Sequence, residues 1–433
     1  MFGLAEMTLL VFGALFVFMF MGLPVALSIE MSGVVFLLVT QLRPLIVTPQ
    51  RIIVAMNSFP LLAIPLFVLM GYLMEKAGLS KRLVDWLMAA CGKLPGALGT
   101  VTVVACAIFA SLTGSGPATV AAIGTIMLPV MINEAGYQPR FAAGLVAAAG
   151  TLGPIIPPSI TMVIYGATMN LSIPKMFVGA IIPGLFITGV LIAANLFITS
   201  KCNVKKIERN YTTKGFLILT YKALPTLCVP IIIMGGIYGG IFTPTEAASF
   251  GVAYTLLLGL CYKTVNLKIL WDSLLKTVET SAMVGFLIGA SGIFGWCLAT
   301  ARIPHNIANA IVPLLTGKIM YLIMLTMVLL VVGCLMETAA GIIVFAPILI
   351  PIGVALGLDE LHLGVLFCIN LLVGYVTPPF GHNLFATVSI SGQSYEDVVR
   401  GVLPLMFLLI GCVLIFTFVP QLITWLPSLA FSK

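Results

Sequence analysis

The heptapeptide Gly153-Pro154-Ile155-Ile156-Pro157-Pro158-Ser159 interrupts an apolar run, 141–169, that is otherwise long enough to cross a bilayer. A proline lacks the N–H donor of the helical ladder and collides with the preceding turn, so the pair Pro157-Pro158 forces such a helix open. Lipid cannot satisfy backbone groups freed in this way, and an open segment at membrane depth persists only inside protein or beside water. The stretch therefore predicts a broken helix facing a polar interior. A second stretch, Gly374-Tyr375-Val376-Thr377-Pro378-Pro379-Phe380-Gly381-His382-Asn383, interrupts the run 363–390 in the same manner.

Working outward, the composition agrees with an all-α polytopic membrane protein. Of 433 residues, 61% are hydrophobic and 8% charged, against about 25% charged in a typical soluble domain. A water-soluble globule is excluded, and the runs lack the two-residue alternation of a transmembrane barrel. They place about ten crossings near 4–21, 24–41, 52–74, 141–169, 174–200, 225–240, 244–262, 279–298, 363–390 and 401–425. Two further apolar stretches, 97–135 and 319–356, are broken by Thr113-Gly114-Ser115-Gly116-Pro117 and Glu337-Thr338-Ala339-Ala340-Gly341. Each reads as a re-entrant hairpin. The run Leu4 to Met21 has no preceding Lys or Arg and no small-residue cleavage site, so a retained helix is expected rather than a signal peptide.

The net charge of +7 resides in short loops between apolar segments, where membrane orientation accounts for it, and nucleic acid is rejected as a partner. With both termini outside, the inner face collects fifteen of the 21 basic residues, among them Lys76, Lys81, Arg82, Lys93, Arg140, Lys206, Arg209, Lys263, Lys268, Lys276 and Arg400. The two hairpins then enter from opposite sides. The nine cysteines, Cys106, Cys297 and Cys412 included, are scattered through apolar segments and suit core filling rather than disulfides or a metal site.

The halves match at a nearly constant offset: Pro24 with Pro244, Gly96 with Gly317, Pro129 with Pro351, Gly136 with Gly357, Gly153 with Gly374, and Pro157-Pro158 with Pro378-Pro379. Five crossings per half force the second copy to start from the opposite face, so the repeat is inverted. The expected organisation is a first repeat over 1–200, a basic linker over 201–222 and a second repeat over 223–433. Segments near 80–92 and 302–315 read as connecting arms, and 24–41 and 244–262 as scaffold.

Broken helices expose uncommitted carbonyls at one half-end and free amides at the other, giving oxygens for a bare cation beside a cradle for an anion. The hydroxyls of Thr113, Ser115, Thr119 and Thr338 suit a cation shell, while Ser159, Thr377, His382 and Asn383 are placed to face a substrate. The bland alternative is close helix packing and capping by the same small residues. Glu337, a carboxylate within an apolar hairpin, marks an ion or proton role, as cation ligand, gate or proton acceptor, or else a solvated tip acid. His382 reads either as a proton-coupling group or as a hydrogen-bonded neutral imidazole. Thr243-Pro244-Thr245-Glu246 reads as a capping box, and Asn57, Asn195 and Asn370 as interhelical hydrogen-bonders. No G-x-x-x-x-G-K-[ST] loop is present, so an ion gradient is the expected drive and no cofactor is called for.

At these residues the chain resembles the large membrane subunit of tripartite ATP-independent periplasmic (TRAP) transporters. The resemblance runs through Ser58-Phe59-Pro60-Leu61-Leu62-Ala63-Ile64-Pro65, Gly114-Ser115-Gly116, Gly153 to Ser159, Gly239-Gly240-Ile241-Phe242-Thr243-Pro244-Thr245-Glu246-Ala247-Ala248 and Thr377-Pro378-Pro379. It implies an elevator-type, sodium-driven importer of organic acids such as sialic acid or a C4-dicarboxylate in the bacterial inner membrane. The implied partners are a separate small four-helix membrane subunit and a periplasmic substrate-binding protein. Carried across by position, the sodium sites fall at Thr113, Ser115 and Gly116 with Gly153 and Pro154, and at Glu337 and Thr338 with Gly374 and Thr377. The anion, between them, meets Thr119, Ser159, His382 and Asn383. The sequence departs from the family pattern at Glu337, where many relatives carry aspartate, at Thr119, where another acid is usual, and at His382, where leucine is common.

Two other readings remain at this stage. A stand-alone divalent-anion symporter shares the opposed hairpins but needs no binding protein. An intramembrane enzyme would need a nucleophile and base at interpretable spacing, which His382, Glu337 and the serines do not supply.

Overall fold

A computed structural model describes residues 4–91, 96–202, 204–205, 212–304, 306–307 and 317–431. Lys93, Lys206, Arg209, most of the arm expected over 302–315 and both chain ends lie outside the described residues. Among those described, regular structure is helical, with no strand. Eight helices are long and apolar enough to cross a membrane, and up to nine when Pro139–Ile155 and Ile160–Met169, bent by 42°, count as one span.

The difference from ten expected crossings has local causes. The first two runs form Leu4–Phe20 and Val25–Thr40, of 17 and 16 residues. They pack together across a turn in which Gly22 takes φ +85° and Pro24 begins the second helix. The run 52–74 is divided into Val47–Met56, a short 3₁₀ turn Phe59–Leu62 with Pro60 in its first turn, and Ala63–Lys76. Two other runs are only the apolar parts of longer helices. Leu267–Thr300 has 34 residues and starts at Asn266, whose side chain accepts from the Ile269 amide at 2.8 Å. At 1.5 Å per residue it reaches about 51 Å, well beyond a hydrocarbon core of ~30 Å. Thr213–Tyr238 likewise begins within the expected linker and carries Pro225 and Pro230 inside it.

The breaks read from the sequence are present. The first hairpin is Ala97–Thr113 and Gly116–Pro129 around Gly114-Ser115, and the second is Lys318–Leu335 and Thr338–Ala355 around Met336-Glu337. The arms have 14 to 18 residues, and three of the eight candidate spans are hairpin arms: Gly116–Glu134, Lys318–Leu335 and Thr338–Ala355. Each hairpin is followed by a glycine in the left-handed region, Gly136 at φ +71° and Gly357 at φ +74°. The broken helices are Pro139–Gly150 with Leu152–Ile155 and then Ile160–Met169, and Glu360–Gly374 followed by His382–Ser391.

Packing places these elements in an exchange between the two hairpins. Each first half-helix lies on its own hairpin: Pro139–Gly150 on Ala97–Thr113, and Glu360–Gly374 on Lys318–Leu335. Each second half-helix crosses to the other hairpin: Ile160–Met169 onto Thr338–Ala355, and His382–Ser391 onto Gly116–Pro129. Helix Tyr395–Phe418 clamps Pro139–Gly150, with an Arg140–Asp397 ion pair at 2.7 Å. Ala63–Lys76 packs against Pro244–Cys261 and Leu267–Thr300, forming a separate wall.

Local polar signals sort cleanly. Thr243 caps Pro244–Cys261: its side chain accepts from the Glu246 amide, and the Glu246 carboxylate accepts from the Thr243 amide at 2.8 Å. Thr243→Ala is expected to cost about 1 kcal/mol and Thr243→Gly only a few tenths, checked by the thermal midpoints of the two variants. Asn195 donates to the Gly96 carbonyl at 2.9 Å and to Thr100 Oγ1 at 3.2 Å, joining two helices. Asn370 corrects the expectation made for it. Fully buried, it donates to Leu366 O at 2.8 Å, one turn back in its own helix, and not across to another. Asn57 is exposed and ends Val47–Met56.

Candidate functional site

The Pro157-Pro158 and Pro378-Pro379 segments open their helices where expected, and both Pro–Pro bonds are cis. Beyond the first break, Ser159 begins Ile160–Met169: its hydroxyl accepts from the Met162 amide at 3.3 Å and donates to Pro154 O. Beyond the second, Gly381 leads into His382–Ser391.

Each broken helix touches its own hairpin through a glycine. A β-carbon on Gly153 would lie 2.5 Å from Ser115 O and 2.8 Å from Thr119 Oγ1. One on Gly374 would lie 2.6 Å from the Gly333 α-carbon and 2.7 Å from the Cys334 amide. The first tip is knitted by Thr119, which donates to Ser115 O at 2.8 Å and pairs with Thr113 Oγ1 at 3.0 Å. The second tip is capped by Glu337, which accepts from the Ala339 amide at 3.1 Å. Tyr375, from the second break, accepts from the Thr338 amide at 3.3 Å and pairs with Thr338 Oγ1 at 3.0 Å. Its ring contacts that of His382, centroids 4.7 Å apart and the planes tilted by 37°.

These elements surround a cavity of about 180 Å³. Both hairpin tips and the starts of Ile160–Met169 and His382–Ser391 form one side, and Ala63–Lys76 with Leu267–Thr300 forms the other. The N-terminal ends of four helices thus meet one space, each contributing roughly half a positive charge; at the second tip the Thr338 and Ala339 amides are already taken by Tyr375 and Glu337. Of the residues singled out from the sequence, Thr113, Ser115, Gly116, Pro154, Glu337, Thr338 and His382 line this cavity. Gly153, Thr119 and Gly374 lie behind the lining, in the contacts just described. Thr377 bonds back to Val373 O at 3.2 Å. Asn383 is fully buried, donates to Ala147 O at 3.1 Å, and sits against Gly116 and Gly150 beneath the first tip.

Several lining residues were not singled out in advance. Tyr72 and Glu75 come from Ala63–Lys76, and Thr280 from Leu267–Thr300; Tyr72 Oη and Thr280 Oγ1 lie 3.3 Å apart. Thr161 faces Thr338 Oγ1 at 3.5 Å. Thr161 was findable, since the repeat offset of 221 that pairs Pro157 with Pro378 also pairs Thr161 with His382. Tyr72, Glu75 and Thr280 carry no such signal, because only the packing of two distant helices brings them to the cavity.

Two hairpins, broken helices and a cavity ringed by helix N-termini are the architecture of a polytopic membrane transport protein. The crystal structure of the Alcanivorax borkumensis YdaH transporter has the same fold, with TM-score 0.67 over 84% of this chain and 86% of that one at 11% identity. The family is given by sequence: the model for the DctM component of tripartite ATP-independent periplasmic transporters matches residues 12–422. The chain belongs to that family, as a large TRAP permease subunit. It is 36% identical to the C4-dicarboxylate TRAP transporter large permease protein DctM of Vibrio cholerae over 95% of each chain. It is 33% identical to the sialic acid TRAP transporter large permease protein SiaM of the same organism, over 95% of this chain and 96% of that one. It is also 38% identical to the isethionate TRAP transporter permease protein DctMQ of Oleidesulfovibrio alaskensis, but spans only 65% of that protein's length.

Proposed function

We propose that this chain is the membrane permease of a sodium-driven, binding-protein-dependent importer of small organic acids, working by an elevator motion. The observation that carries the reading is the shared cavity. Both hairpin tips and both second half-helices line one side of it, and an independent helix pair lines the other. The crossed packing of half-helices on opposite hairpins ties the first side into one body, which can move as a block against the wall. Gly71 of the wall faces Thr113 closely, a β-carbon there falling 3.3 Å from the Thr113 α-carbon, so the boundary runs directly over the first tip.

On this reading Na⁺, the coupling ion, is held by the first tip through Thr113, Ser115 and Gly116 with Gly153 and Pro154. A second site uses Glu337 and Thr338 with Gly374 and Thr377. Small residues there keep backbone oxygens within reach of a bare cation. The substrate anion lies between the tips, near the helix N-termini, with His382 in its wall. Thr119, Ser159 and Asn383 act from behind, holding the tip, the half-helix start and the hairpin contact in place. The two repeats, over 1–200 and 223–433, supply one hairpin each. The relatives named for isethionate, C4-dicarboxylate and sialic acid support the organic-acid class. The partners are a small four-helix membrane subunit and a periplasmic substrate-binding protein, the membrane is the bacterial inner membrane, and both termini face the periplasm.

The test is uptake by proteoliposomes holding the permease and its small subunit, with the binding protein outside. Uptake is expected to require an inward sodium gradient and the binding protein together. Equal uptake with potassium in place of sodium rejects the coupling; uptake by the permease alone moves the chain to the stand-alone symporter class.

A further inference from the structure

One edge of the wall, far from the cavity, combines exposed apolar stripes with unpaired cations. Helix Thr213–Tyr238 packs against Pro244–Cys261, and the Tyr254 hydroxyl donates to Pro225 O at 3.2 Å, which fixes their register. Eight residues on from Tyr254 and eight back from Pro225, Tyr262 falls level with Leu217, within about a turn of Lys214 and Thr220. Helix Leu79–Cys91 closes the same edge: Trp86 donates to Thr220 Oγ1 at 3.1 Å, and the Arg82 guanidinium lies over the Tyr262 ring at 3.7 Å. Residues 262–266 then lead straight into Leu267–Thr300, so the first turns of that helix belong to the edge as well.

The exposed apolar side chains fall at helical spacing. Leu217 and Tyr221 are 61% and 79% exposed, and Leu267, Trp271 and Leu275 are 85%, 63% and 52% exposed. At about 51 Å, Leu267–Thr300 outruns even the ~40–45 Å of a bilayer with its headgroups, so these turns reach the headgroup layer. Beside the stripes stand Lys214, Lys222, Lys263 and Lys268, all exposed and none in an ion pair among the described residues. Lys81 and Arg82 add two more cations, and the acids in these turns are Asp85 and Asp272.

We propose that this edge binds the phosphodiester headgroups of acidic phospholipids, the lysines meeting the phosphates while Tyr221, Trp271 and the leucines enter the layer beneath them. Rings and leucines at helix ends favour the membrane interface, and basic residues beside them favour a negatively charged surface. Charge complementarity selects the lipid: a neutral headgroup would cover the stripes but leave the lysines without an opposing charge. Bound there, acidic lipid holds the wall, and not the hairpins, to the membrane surface.

The experiment is a thermal-midpoint titration of the full chain in a neutral detergent with dioleoylphosphatidylglycerol or dioleoylphosphatidylcholine, at about 0.05 and about 0.5 M KCl. At the lower salt the acidic lipid is expected to half-saturate at about tenfold lower mole fraction than the neutral one. The higher salt is expected to remove most of that difference, because exposed charges are screened. Lys214→Gln, Lys222→Gln, Lys263→Gln and Lys268→Gln, made together, are expected to abolish the difference and leave the response to phosphatidylcholine unchanged. Arginine at the same four positions is expected to keep it. All four side chains are exposed, so both variants are expected to fold. Equal half-saturation by the two lipids on the wild-type chain, or a preference indifferent to salt, overturns the proposal whatever the variants do. A preference that the Gln variant retains puts the lipid elsewhere and overturns this surface. Loss of the preference when the small membrane subunit is added gives the face to that subunit and overturns it too.

Discussion

Gly374→Ala is expected to lower the thermal midpoint of the purified chain, although alanine is the better helix former by about 0.8–1.0 kcal/mol. Gly374 ends the helix Glu360–Gly374, so propensity alone favours the change. What opposes it is backbone: the new methyl would fall 2.6 Å from the Gly333 α-carbon and 2.7 Å from the Cys334 amide, neither of which can rotate away as a side chain would. Overpacking of this kind costs typically ~1–3 kcal/mol, occasionally more. The net loss is therefore up to about 2 kcal/mol, taken as a displacement of the second hairpin from the broken helix. Gly189→Ala is the control. It lies in Ile173–Ser200 with open space where its β-carbon would go, and there the midpoint is expected to stay or rise. A Gly374→Ala protein as stable as the Gly189→Ala protein would mean that hairpin and broken helix do not meet as described.

Glu337→Gln is expected to leave the fold intact and to damage sodium dependence. The substitution keeps the size of the side chain and an oxygen to accept from the Ala339 amide, so the cap on Thr338–Ala355 survives. What disappears is the negative charge facing the cavity. Interactions with a charged partner contribute about 1.5–3 kcal/mol, and the half-saturating sodium concentration for uptake is expected to rise roughly ten- to hundredfold. A sodium titration indistinguishable from the wild type, with uptake intact, would reduce Glu337 to a helix cap.

Much of the fold was legible because its signals are chemical and local. Paired prolines at 157–158 and 378–379 remove two consecutive donors, and no helix survives that in lipid. The tips at Gly114-Ser115 and Glu337 announce themselves as polar residues inside apolar runs. Thr243 and Glu246 carry their capping box in four residues. Helix lengths were less legible: Lys268, Asp272 and Lys276 dilute the apolar signal of a helix that nonetheless begins at Asn266. A hydropathy window registers where lipid is, whereas the hydrogen-bond ladder continues until a cap or a break ends it.

By itself, then, the sequence determined that the chain is a helical membrane protein and where its helices open. Each of these depends on backbone donors or transfer free energy over a few consecutive residues. Only the tertiary structure decided which residues face the cavity. It placed Asn383 beneath the first tip, made Ser159 a cap behind the lining, and brought Tyr72, Glu75 and Thr280 to the opposite wall. The physical reason is that a helix apolar on every side has no face marked in its sequence. Its rotation about a broken joint is set by which neighbour it packs against, and those neighbours come from the other half of the chain.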